Sequence, residues 1–236
     1  MMFYYTNKYL IAAAIIPAII LLVRVYKADK YEKEPPELLV SLVIWGILAT
    51  VLAVATEQIG IYILPYIAQK GTVLYNALLY FVVVAVSEEG FKYLILKWRT
   101  WNHPAFNYSF DAVVYAVFVS MGFALWENVQ YVTTYGMRTA MLRAVTAVPG
   151  HACFGVFMGM WYGFSKKYFN RGNLILSKIC GVLAFLLPAV THGCYDYIAT
   201  IESEQYSWIF IGFIAVMFVI AMALVQRLSK KDENIL

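Results

Sequence analysis

Apolar residues dominate this chain in seven long runs, separated by short polar segments that hold most of its charge. The runs extend approximately from Leu10 to Tyr26, Leu38 to Leu64, Val73 to Leu96, Phe110 to Tyr131, Val148 to Phe164, Leu174 to Ala199 and Trp208 to Val225. About 20 apolar residues in helical conformation cross the hydrocarbon core of a bilayer. Lipid offers no hydrogen-bond partners, so each crossing segment must close its backbone bonds internally. The pattern predicts an all-α, polytopic transmembrane bundle of about seven spans, with residues 1–236 as a single transmembrane domain. A bend or re-entrant turn in the long second and third runs would change the count to six or eight. The first run is also readable as an uncleaved signal-anchor, since only Lys8 precedes it and no small-residue cleavage site follows.

Composition narrows the class. Of 236 residues, 62% are hydrophobic and 14% charged, and the mean hydropathy is +0.69. A soluble domain of this length needs more polar surface. The net charge of +4 comes without a basic block, so nothing points to nucleic acid. Cys153, Cys180 and Cys194 are odd in number and form no CxxC pair, which argues against a disulfide framework or a cysteine zinc site. Of the 18 lysines and arginines, alternating loops place thirteen on one side and four (Lys8, Lys70, Arg138, Arg143) on the other, with Lys92 inside a span. That bias predicts an amino terminus outside and a carboxyl terminus in the cytoplasm. A retinal protein finds little support, since the last run, Trp208 to Val225, contains no lysine for a Schiff base. No internal repeat suggests a common transporter architecture.

The candidate chemistry lies in what interrupts the apolar runs. Each ionisable residue at a helix centre costs about 2.5–3.5 kcal/mol to insert. The chain nevertheless keeps Glu88, Glu89 and Lys92 in one run, Glu127 in the next and Asp196 in the sixth. Glu57, His151 and His192 lie within or at the edges of runs. On a helix, Lys92 is four residues from Glu88 and three from Glu89, so one ammonium faces both carboxylates. It offsets one charge and leaves the second for proton transfer; the plainer reading is a salt bridge pinning two helices. His192 and Asp196 are again four apart, which lets the aspartate fix which ring nitrogen faces a cavity. Glu127 and Asn128 supply a buried acid and amide, either site groups or polar glue between helices. Gly155, Gly159 and Gly163 form a ridge suited to close helix packing. The charged stretch from Lys27 to Glu37 reads as a solvated cytoplasmic turn.

Together these segments resemble the PrsW family of intramembrane proteases, which are related to the CAAX-type prenyl proteases. The resemblance runs from about Asp29 to Asp196. It rests on the Asp-Lys-Tyr-Glu-Lys-Glu-Pro segment (Asp29 to Pro35), Glu88-Glu89-x-x-Lys92, and Phe106-Asn107 with Asp111. It continues through Gly122 to Asn128, His151 and His192-x-x-x-Asp196. The stretch Asp111 to Ala116 departs from the pattern where glycines are expected after the aspartate and the tyrosine. The resemblance implies peptide-bond hydrolysis in the membrane, with a catalytic core at approximately residues 73–200. It further implies a single-span, anti-sigma-factor-like substrate cut in a bacterial cell membrane.

The residues fit such chemistry. A glutamate, Glu88 or Glu89, activates water, His151 and His192 position the water or donate to the oxyanion, and Asp196 orients His192. Lys92, Glu127 and Asn128 support that site. No cofactor is required on this reading. The alternative is zinc held through His151, His192 and a glutamate, although no His-Glu-x-x-His segment is present. A non-enzymatic scaffold or sensor, or a proton-coupled carrier, would use the same buried network differently. Depth poses a difficulty. Glu88 lies roughly 18–22 Å below the outer end of its predicted helix, but Glu127 and His192 only about 6–12 Å below theirs.

Overall fold

The computed structural model describes residues 8–236, and the described chain is helical with no strands. The long helices are α1 (Lys8–Ala28), α2 (Pro36–Ile63), α5 (Asp111–Tyr135), α7 (Ala147–Asn170), α8 (Leu174–Ala199) and α9 (Glu204–Lys230). Between them lie α3 (Val73–Ala77), α4 (Ala85–Thr100) and the short α6 (Met137–Val145), which runs almost directly into α7. Among the described residues six helical segments are long and apolar enough to cross a membrane. The predicted third run becomes a composite of α3, a π-helical stretch Leu78–Val84, and α4. With it the protein has the seven-segment architecture that the hydropathy pattern predicts.

Local chemistry sets the helix ends. Pro36 opens α2 at a position where a missing N–H costs nothing. The Thr72 hydroxyl accepts from the Tyr75 N–H at 3.2 Å and starts α3. Asn173 does the same for α8 through the Leu176 N–H at 3.1 Å. Gly136, at φ 84°, takes the left-handed conformation that separates α5 from α6.

Helix α5 forms the centre, packed against α1, α2, α4, α6 and α7. Its residues from Asp111 through Ala124 are all buried. At the α2–α5 crossing a methyl group on Gly46 would meet the Val119 carbonyl oxygen at 2.2 Å, and one on Gly122 would meet that of Val43 at 2.2 Å. Only two bare backbones permit this contact. The exterior is apolar instead: Ile19, Val40, Val51, Leu94, Val182 and Val219 are all exposed. An apolar surface on this scale matches lipid rather than water. The chain is a multi-pass membrane protein.

The connection between α1 and α2 is solvated along most of its length, with Lys27, Lys30, Glu32, Lys33 and Glu37 exposed. Two of its acids depart from that expectation: Asp29 and Glu34 are 1% and 2% exposed. They are covered where α1 ends, α5 begins and the carboxyl-terminal tail crosses. That tail bonds through Ser109 N–H to Glu233 O and Ile235 N–H to Asn107 O, at 3.0 and 2.8 Å.

Candidate active site

Glu88, Glu89 and Lys92 occupy one face of α4 and are all buried. The Lys92 ammonium has three donors and uses each. It donates to Glu89 Oε1 at 2.7 Å, to Glu88 Oε2 at 3.2 Å and to His151 Nδ1 at 3.1 Å. It also lies 4.0 Å from the centre of the Phe123 ring. Because His151 Nδ1 accepts, its Nε2 carries the hydrogen and donates to Glu127 Oε2 at 2.8 Å. His192 Nδ1 donates to Glu89 Oε1 at 2.9 Å, and its Nε2 lies 3.4 Å from Asp196 Oδ2. The His192 ring stacks on Phe154 at 4.7 Å and sits 5.5 Å from the His151 ring. Residues from α4, α5, α7 and α8 thus meet in one continuous network.

Beside that network is a cavity of about 390 Å³ lined by Glu57, Glu88, Glu127, Arg143, His151, His192 and Asp196, with aromatic walls including Tyr80, Tyr131 and Tyr195. The two glutamates are placed differently. The Glu88 side chain lines the cavity and is 8% exposed, whereas that of Glu89 is fully covered. Glu89 binds Lys92 and His192 together; Glu88 is the one that substrate or water can reach.

The helix ends and the π segment narrow the difference in depth. Helix α5 continues to Tyr135, which sets Glu127 about 12 Å from its end. The π-helical stretch just before α4 has more residues per turn and so advances less along the axis.

Two residues fall outside the expected pattern. Asn128 does not face the cavity: its Nδ2 donates to the Ala14 carbonyl at 2.7 Å and its Oδ1 accepts from Arg143 Nε at 2.8 Å. It ties α5 to α1 and α6. Arg143, read from sequence only as a basic residue outside the spans, reaches Glu127 at 2.9 Å and lines the cavity. No local spacing signals this role, which arises because α6 lies against α5 and α7.

The donors suit a metal ion in kind. One ligand atom from each of Glu88, Glu89 and His151 lies within 4.8 Å of the others, and carboxylate and imidazole are ordinary zinc ligands. Lys92 bonds to all three, so an ion held there would compete with the ammonium for its acceptors.

Comparison with known proteins agrees with this architecture. The family described as PrsW family intramembrane metalloprotease matches residues 34–225. Protease PrsW of Oceanobacillus iheyensis is 34% identical over 225 residues, covering 95% of this chain and 97% of the relative. Protease PrsW of Geobacillus kaustophilus is 32% identical over 80% of this chain and 79% of its own. The Bacillus subtilis Protease PrsW is 30% identical, covering 85% and 86%. No solved structure matches the chain. With a buried acid–histidine network inside a multi-pass bundle and relatives matched over most of their length, the chain belongs to the PrsW family of intramembrane proteases.

Proposed function

We propose that the chain is a glutamate-dependent endopeptidase of the bacterial cell membrane, cutting a single-span, anti-sigma-factor-like substrate with water activated by Glu88. The observation that carries this reading is the unequal placement of the glutamates. Glu88 lines the cavity beside His151 and His192, and Glu89 is sealed behind it against Lys92.

In the reaction, Glu88 takes a proton from water as the water oxygen bonds to the scissile carbonyl carbon. The carbonyl oxygen becomes the oxyanion, and His192 and Arg143, both on the cavity wall, supply donors and positive charge. Glu88 then delivers its proton to the amide nitrogen as the C–N bond breaks, which leaves a carboxyl group and an amine. Lys92 and Glu89 are positioning residues. Their ion pair fixes Glu88, and the bond from Lys92 sets the His151 tautomer.

A second reading is favoured by the clustering of Glu88, Glu89 and His151 and by the metalloprotease description of the family. These residues would hold the ion, which would supply Lewis-acid polarisation and an acidified water.

The test uses purified protein in lipid with a panel of single-span substrates. Glu88→Gln is expected to lower cleavage by about 10²–10⁴-fold, the range typical of a lost general base. Activity unchanged in strong chelator, with no metal by elemental analysis, would remove the metal reading. Full cleavage by Glu88→Gln, Glu89→Gln and the double variant would sink the glutamate mechanism.

A further inference from the structure

A second group of acids lies at the opposite end of α5, sixteen residues and so about 24 Å along the helix from Glu127. Asp29 follows the end of α1, Glu34 precedes α2, and Asp111 opens α5. All three are buried, and one carboxylate oxygen from each lies within 4.8 Å of the others. The set is built rather than casual. Asp111 Oδ2 is held by the N–H groups of Asn107 and Tyr108 at 3.1 and 2.7 Å. Glu34 is fixed by the Tyr115 hydroxyl, which also donates to the Ala105 carbonyl at 3.1 Å.

What remains unbonded points to a ligand. Neither carboxylate oxygen of Asp29, which is 99% buried, has a hydrogen-bond partner among the described residues, while the Asp111 and Glu34 carboxyl groups lie against one another. Lys33 is the nearby cation, but its ammonium donates to the Tyr26 and Asp29 carbonyl oxygens rather than to these carboxylates. A buried carboxylate without donors is costly unless something positive meets it.

We propose that Asp29, Glu34 and Asp111 form a binding site for a hard divalent cation, Mg²⁺ or Ca²⁺, separate from the active site. Three carboxylates are the oxygen donors such ions take, with water completing the shell. The ion joins the α1–α2 connection to the start of α5, on the face that the lysine and arginine bias assigns to the cytoplasm. Asp232, on the tail, fastens the same region by accepting from the Ser109 hydroxyl and the Phe110 N–H at 2.9 and 2.8 Å.

Equilibrium dialysis of chelator-stripped, full-length protein in lipid nanodiscs against ⁴⁵Ca²⁺ provides the test, with Mg²⁺ as competitor. About one equivalent is expected in wild type and also in the Glu88→Gln/His151→Ala double variant, which disables the other metal-capable cluster. Asp29→Asn and Asp111→Asn should each weaken binding at least tenfold. Terbium luminescence sensitised by Tyr115 and quenched by added Ca²⁺ gives a second readout in wild type alone. No bound equivalent in wild type overturns the proposal, as does binding lost in the double variant and kept in Asp29→Asn. Because the double variant lacks Glu88, the result is independent of whether the protease mechanism is correct.

Discussion

Lys92 has as acceptors two carboxylates on its own helix and an imidazole 59 residues away. Removing it leaves Glu88 and Glu89 buried side by side with no ammonium between them. Breaking a buried pair this way costs about 3–5 kcal/mol. Lys92→Met is therefore expected to lower the unfolding free energy in detergent by about that amount and to abolish cleavage. Glu89→Gln provides the contrast. It keeps an acceptor for Lys92 and His192, so folding should survive while turnover falls; an unchanged pH profile of cleavage would argue that Glu89 does not set the site's electrostatics. Much at this scale was legible in the sequence. Glu88, Glu89 and Lys92 are neighbours by helical spacing alone, as are His192 and Asp196. Asn128 was legible as polar glue between helices but its partners on α1 and α6 were not, and the role of Arg143 was not legible at all, because each acts through an element distant in sequence. Spacing says which face a residue shares and nothing about which helix lies opposite.

Elements are joined through bare backbone as much as through side chains. A methyl group on Gly159 would lie 2.5 Å from Val113 Cα, so the glycine ridge of α7 seats on α5 as the sequence suggested. Val113 cannot yield, since the contact is with its backbone. Gly159→Ala should destabilise the protein by about 1–3 kcal/mol, the usual range for overpacking. Gly212 makes no such approach, with nothing within 4 Å of an added methyl. Gly212→Ala should therefore be neutral or slightly stabilising on propensity grounds. Denaturant unfolding of both variants checks the pair, and equal effects would mean the crossing is looser than described. Hydropathy found the third run but not its π-helical stretch, because an apolar average is blind to how residues are wound. It also read Lys27 to Glu37 as solvated, which holds for most of the segment, since charge density alone cannot reveal that α5 and the tail cover Asp29 and Glu34.

Across the whole molecule, two polar centres stand at opposite ends of α5, and the one outside the spans carries a dependence on pH. Outside the spans, burial raises Asp29 to about 6 and Glu34 to about 7. Lys33 opposes the rise at Asp29, Asp232 and Glu32 add to it, and Tyr115 partly offsets it at Glu34. Free aspartate and glutamate titrate near about 3.9 and 4.3. The folded state thus holds more protons than the unfolded one between about pH 4 and 7, so stability declines as pH rises through that window. A divalent cation at Asp29, Glu34 and Asp111 would replace those protons, bind more tightly as pH rises, and cancel the decline. In chelator, the thermal midpoint of wild type should fall by several degrees between pH 5 and 7.5, since about 1 kcal/mol moves a protein of this size by about 2–4 °C. Adding Ca²⁺ at pH 7.5 should restore it, and at pH 5 should do little. The Asp29→Asn, Glu34→Gln double variant should lose both the pH slope and the Ca²⁺ response while keeping cleavage. A Ca²⁺ response equal at both pH values, or one retained in that variant, would place the ion elsewhere. Loss of both responses with cleavage intact would make the two ends separable, with one centre doing the chemistry and the other holding the bundle closed at the far end of α5.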